Sequence, residues 1–149
     1  AGAAGTIRAR AARAQCVSTE AVAALLGRPA LLLTDARAPE RFAGRSEPID
    51  VIAGHVPGAI NHPLTLNLDA SGRFLPAGEL RTRWDKTLAG RAPTELIAMC
   101  GSGVSACHNL LALEIAGHKG ARLYPGSWSE WIRDRCRPIA TSPEPAPKS

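Results

Sequence analysis

Apolar positions along the chain fall into short continuous runs and longer periodic ones, punctuated by glycine and proline. Ser18-Thr19-Glu20 supplies an N-cap and an acidic first turn, Ala21 to Leu26 continues as helix, and Gly27 closes it. Leu31-Leu32-Leu33-Thr34 reads as a short buried strand ending at Asp35. Residues 39–63 are rich in glycine and proline with little periodicity. They read as a long ordered loop containing one short strand near Ala59-Ile60-Asn61. Pro76 opens a second helix with Leu80, Trp84 and Leu88 on one face, and Gly90 lies beyond its end. Glu95 to Met99 is another buried strand. From Val104 to Ala116 apolar residues are almost continuous, which predicts a largely buried helix stopped by Gly117. Ala121 to Tyr124 is a strand, and Ser127 to Arg133 a short last helix carrying Trp128 and Trp131.

Strands alternating with helices predict an α/β fold: a central, mainly parallel sheet flanked by helices. The stretch 95–124 is a βαβ crossover, expected to be right-handed. Ligands of such sheets bind at the carboxyl ends of strands, where Asp35 and Cys100 fall. With 149 residues, one domain is expected. It is expected over 17–136, between a linker-like segment 1–16 and a tail 137–149 whose four prolines predict disorder. The chain does not begin with Met, which fits a processed chain or an excised fragment, and its start has no apolar stretch of the signal-peptide kind.

Composition narrows the function. The formal net charge is +5, and Lys occurs only at 86, 119 and 148, so arginine carries most of the positive charge. Those arginines are scattered and aromatics make up only 4%, which disfavours a nucleic-acid partner and leaves a small anionic substrate. No apolar run is long enough for a membrane span. Cys16, Cys100, Cys107 and Cys136 show no C-x-x-C spacing, and His55, His62, His108 and His118 do not join them at metal-ligand spacing. No metal or cofactor is expected. Free cysteines point to a reducing, cytoplasmic setting.

The chemistry concentrates in Cys100-Gly101-Ser102-Gly103-Val104-Ser105-Ala106. The cysteine leaves a buried strand, Gly101 and Gly103 let the backbone curl, and a helix starts near Val104. Free N–H groups at that helix start favour an anion, whether the Cys100 thiolate or a bound substrate. A structural cysteine before a glycine turn is the competing reading. Cys107, inside the apolar helix, reads as core, and Cys16 and Cys136 as incidental. Cysteine-dependent phosphatases carry an arginine six residues after the nucleophile. Ala106 stands there, so the bidentate phosphate partner is missing.

CGSGVSA (100–106) resembles the active-site loop of the rhodanese family, the thiosulfate and 3-mercaptopyruvate sulfurtransferases. Three other segments resemble family signatures in the same order: DARAPERFAGRSEPID (35–50), GHVPGAINHP (54–63) and LYPGSWSEW (123–131). The resemblance implies a rhodanese-like α/β domain. Cys100 would take a sulfane sulfur from a small anionic donor, hold it as a persulfide and pass it to cyanide or a thiol. The loop from Gly101 through Ser102, Gly103 and Val104 to Ser105 would contact substrate, and Arg41 would bind the donor. Neutral Gly101 and Ser102 resemble members that prefer 3-mercaptopyruvate. Ile49 stands near where some of those members carry a second donor-binding arginine, with Arg45 as the nearest substitute. Asp35, His55, Trp128 and Trp131 read as scaffold. The match is to the catalytic C-terminal half of two-domain members, which implies a non-catalytic N-terminal rhodanese domain absent from this chain. A non-catalytic sulfur-carrier or interaction module is the alternative.

Overall fold

A computed structural model describes residues 15–29 and 31–142. The helices are α1 (Thr19–Leu25), α2 (Pro39–Phe42), α3 (Ala77–Leu88), α4 (Val104–Ile115) and α5 (Ser127–Trp131). The strands are β1 (Leu32–Asp35), β2 (Ile60–Asn61), β3 (Leu96–Met99) and β4 (Arg122–Leu123). All pairings are parallel and the strand order is β2-β1-β3-β4. β1 and β3 sit at the centre, with Leu32 opposite Leu96 and Asp35 opposite Met99. Every residue of both strands is buried, as expected for a parallel sheet covered on both faces.

Strand alternation splits the core into two layers. Leu32, Leu96 and Ala98 pack with Leu80, Trp84 and Leu88 of α3 and Ala106, Ala112 and Leu113 of α4. Leu33, Ile97 and Met99 pack on the other face with Val22, Phe42, Trp128 and Trp131. Cys100 continues the register of Leu96 and Ala98 and belongs to the first layer.

Local chemistry sets the boundaries. Ser18 Oγ caps α1 by accepting from the Ala21 N–H at 3.3 Å. α3 starts just after Pro76 and ends with Ala89 and Gly90 both at positive φ. The segment expected to be loop from 39 contains the one-turn helix α2, which opens on Pro39. α4 is less buried than its composition predicts. Ala106, Asn109, Ala112 and Leu113 face inward, whereas Val104 is 74% and Leu111 52% exposed. Cys107 is also exposed, not core. It falls on the outward side of α4, and its thiol donates to the Gly103 carbonyl at 3.4 Å.

The ends differ from expectation where they are described. Cys16 pairs alongside Leu123, and the Val17 N–H donates to the Leu123 carbonyl at 2.7 Å. Beyond Arg137, the Trp131 indole donates to the Pro138 carbonyl at 2.9 Å. His55 and Ala140 exchange backbone bonds of 2.8 and 2.9 Å, and the Ser142 N–H donates to the Ala43 carbonyl at 3.2 Å. Proline-rich composition suggested a free tail from 137, but this backbone finds partners as far as Ser142. Residues 1–14 and 143–149, the rest of the two end segments, lie outside the described residues. No described helix is long and apolar enough to cross a membrane.

Candidate active site

The loop after β3 is held by the segment that follows β4. The Cys100 N–H donates to Ser127 Oγ at 3.0 Å, and the Cys100 carbonyl accepts from the Trp128 N–H at 3.0 Å. The Gly101 carbonyl accepts from the Ser129 N–H at 2.9 Å. Ser127 itself is fully buried, sits at φ 53°, and donates its hydroxyl to the Tyr124 carbonyl at 2.9 Å. Both backbone groups of Cys100 are thus fixed from one short segment.

Gly103 turns the chain into α4. Its φ is 82°, and a Cβ there would stand 2.6 Å from the Pro125 carbonyl oxygen, so only glycine fits. Among the described residues, the N–H groups of Gly101, Ser102 and Gly103 have no protein acceptor. Val104 and Ser105 open a 12-residue helix, where N–H groups lack intrahelical partners. The loop therefore presents a cluster of donors at the positive end of a helix.

Cys100 lines a cavity of about 510 Å³ together with Arg41, Gly101, Ser102 and Ser105. These five of the seven expected site residues come together. Gly103 and Val104 do not line it: Gly103 is buried against Pro125, and the Val104 side chain faces outward. Their contribution is backbone geometry. Cys100 is only 2% exposed, so the thiol is reached through the cavity.

Arg41, in the single turn of α2, extends over the loop. Its Nη2 and Nη1 lie 3.6 and 3.7 Å from where a Cβ on Gly101 would be. Nε and Nη2 donate to Glu47 at 2.7 to 3.2 Å, and Nη2 also to Asp50 at 3.2 Å. Nη1 has no acceptor among the described residues, which leaves donors for a ligand. Burial pushes the Glu47 carboxyl up, but the Arg41 bonds and the N–H groups of Asp50 and Ile49 outweigh it, holding Glu47 below the ordinary carboxylate range.

Arg37 also lines the cavity but is committed elsewhere. It makes a fork of bonds to Asp35, with Nη2 at 2.7 Å, and donates to the Gly54 carbonyl at 2.7 Å and to Glu47 at 3.3 Å. Asp35 is thereby scaffold. Arg45 pairs with Glu40 at 2.8 Å and does not line the cavity, so it does not replace a second donor arginine. His55 is buried, with Nδ1 2.7 Å from the Phe42 carbonyl oxygen. Among the described residues, no three His, Cys, Asp or Glu side chains are placed to hold a metal ion.

Sequence reasoning missed three contributors. Ser127 and Ser129 lay in a quoted signature, and Asp50 ended another, but their contacts reach across 27 to 79 residues. Ser129 Oγ donates to Asp50 Oδ1 at 2.7 Å, tying the loop after Glu47 to α5, and the Trp128 indole donates to the Ile52 carbonyl at 2.8 Å. The fourth signature thus serves as the clamp on both loops of the cavity.

Residues 18–134 match the rhodanese-like domain. Over 118 residues the chain is 58% identical to a Pseudomonas aeruginosa protein named "Probable 3-mercaptopyruvate sulfurtransferase", covering 79% of this chain and 42% of that one. It is 39% identical over 108 residues to human 3-mercaptopyruvate sulfurtransferase, covering 71% of this chain and 36% of that one. The crystal structure of the Tum1 protein from Saccharomyces cerevisiae superimposes with a TM-score of 0.74 at 32% identity, over 87% of this chain and 47% of that chain. The chain thus spans about two-fifths of the length of the curated relatives it matches.

Proposed function

The chain belongs to the rhodanese family, and from that premise we propose that it is a sulfurtransferase working through a persulfide on Cys100. The observation that carries the reading is that Cys100 and Arg41 line one cavity, with open N–H groups in the loop that follows the cysteine and the Arg41 guanidinium close to Gly101. A thiolate there attacks the outer sulfur of a donor. With thiosulfate, the S–S bond breaks, sulfite leaves with the bonding pair, and Cys100 becomes a persulfide. With 3-mercaptopyruvate, the C–S bond breaks, the pair goes to a pyruvate enolate, and the enolate takes up the thiol proton. Cyanide, or an acceptor thiolate, then attacks the outer sulfur and returns the Cys100 thiolate.

The surroundings suit these steps. Open N–H groups of Gly101, Ser102 and Gly103, with those of Val104 and Ser105 at the α4 terminus, are donors for the transferred sulfur and for a departing anion. The free Nη1 of Arg41 serves an anionic donor. A carrier module loaded by a protein partner would use the same cysteine. Ile49 and Val51, 74% and 92% exposed, favour such a partner, since Ile49 lines the cavity and Val51 follows two residues on. A second rhodanese domain outside this chain remains part of the proposal, since the relatives are longer. Turnover of thiosulfate and of 3-mercaptopyruvate with cyanide decides between enzyme and module. The enzyme reading expects thiocyanate from at least one donor and at least about a 1000-fold loss in Cys100→Ser, because the hydroxyl does not carry the sulfur. No thiocyanate from either donor, with Cys100 free and titratable, refutes it for this chain.

A further inference from the structure

Arg41 is not a lone cation. Of the charged residues that line the cavity, Arg37 pairs with buried Asp35 and Arg41 with buried Glu47, and Asp50 is left over. Glu47 is the integrated partner: it takes three Arg41 bonds, one from Arg37, and the N–H groups of Ile49 and Asp50. Asp50 makes one 3.2 Å contact with Arg41 Nη2, and its other oxygen is fixed by the Ser129 hydroxyl at 2.7 Å. Its side chain is 10% exposed and lines the cavity, with Oδ2 3.9 Å from where a Cβ on Gly101 would be. An incoming anion therefore meets Arg41 and the fixed Asp50 carboxylate together.

We propose that Asp50, held in place by Ser129, is a specificity-determining residue that turns the cavity away from dianionic sulfur donors and toward singly charged organic ones. The proposal rests on the sulfurtransferase reading above. Coulomb repulsion scales with ligand charge, so Asp50 acts twice as strongly, in free energy, on a dianion as on a monoanion. A factor in affinity for a monoanion becomes roughly its square for a dianion at the same place. The donor class that results is a carboxylate bearing an organic sulfur, with thiosulfate as the disfavoured form. Ser129 positions the carboxylate, since without its hydroxyl the Asp50 side chain is tethered only through Arg41.

Asp50→Asn tests this in the full chain, because the amide keeps an acceptor for Ser129 and removes the charge. Steady-state kinetics are read with thiosulfate and with 3-mercaptopyruvate, at low and high salt. KM is expected to fall about three-fold for 3-mercaptopyruvate and about ten-fold for thiosulfate, with kcat little changed. The difference should shrink at high salt, and Asp50→Glu should keep the wild-type preference. Equal factors for the two donors, or a thiosulfate KM that does not fall, overturn the proposal. A second readout needs no turnover: protection of Cys100 from iodoacetamide by sulfate and by pyruvate. Asp50→Asn should strengthen protection by sulfate more than by pyruvate, and the reverse order also overturns it. Failure of the wild-type chain to turn over either donor would instead count against the sulfurtransferase reading, and protection would still decide the role of Asp50.

Discussion

Cys100 has little backbone freedom, because Ser127 holds its N–H and Trp128 its carbonyl. Ser127 does this from a left-handed conformation that few non-glycine residues adopt. Ser127→Ala should leave a buried N–H without a partner and cost about 1–3 kcal/mol in urea unfolding. Ser127→Gly loses the same hydroxyl but relieves the backbone, so it should be the more stable of the two. A Ser127→Ala protein as stable as wild type would show that the hydroxyl does not hold the loop. At this scale the sequence was legible where chemistry is local. Cys100 stood out because it ends a buried run before a glycine turn, whereas Arg41 was singled out only by the resemblance of its segment to a rhodanese signature. Ser127 and Asp50 did not, because a serine or aspartate gains its meaning only from a partner far along the chain. Cys107 was misread because α4 is apolar almost all round, so its pattern does not say which side faces water.

Elements were read best where their ends carry chemistry. Ser18, Pro76, Gly90 and Gly117 marked helix boundaries to within a residue or two of those observed. The central strands were legible as continuous apolar runs, which is what burial on both faces demands. α2 was not, since one turn is too short to show a helical period. The turn from β3 into α4 depends on Gly103. Gly103→Ala should place a methyl against the Pro125 carbonyl and force a positive φ, costing at least about 2 kcal/mol. Because the same turn aims the α4 N–H groups at the cavity, sulfur transfer should fall with it. An equally stable, equally active Gly103→Ala would mean that the loop is not built as described.

Across the whole molecule, α/β class and parallel pairing followed from the alternation of elements, whereas the polar network beneath the cavity did not. Asn67 Nδ2 donates to Asn109 Oδ1 at 2.8 Å, the Trp84 indole donates to Asn67 Oδ1 at 3.1 Å, and Asn109 Nδ2 donates to the His62 carbonyl at 2.9 Å. This network joins α3 and α4 to the turn at Leu64–Asn67, whose Leu64 and Thr65 form a cavity wall. His62 stacks on Trp84 with centroids 3.7 Å apart. Burial pushes it from the ordinary 6.5 down to about 4. The unfolded chain therefore binds a proton that the folded chain refuses between those values. Stability should be fully present above pH 6.5 and fall as pH drops toward 4, by on the order of 3 kcal/mol from this group. His62→Gln should flatten that part of the urea-unfolding pH profile, and an unchanged slope would show that His62 is not its source. The sulfur-transfer account itself turns on one atom. After incubation with thiosulfate or 3-mercaptopyruvate, fragment-ion mass spectrometry, which separates Cys100 from Cys107 within one peptide, should find a gain of about 32 Da on Cys100. The gain should be reversed by cyanide, absent in Cys100→Ser and retained in Cys107→Ser. An adduct on Cys107 alone, or none while Cys100 is free and titratable, would contradict it.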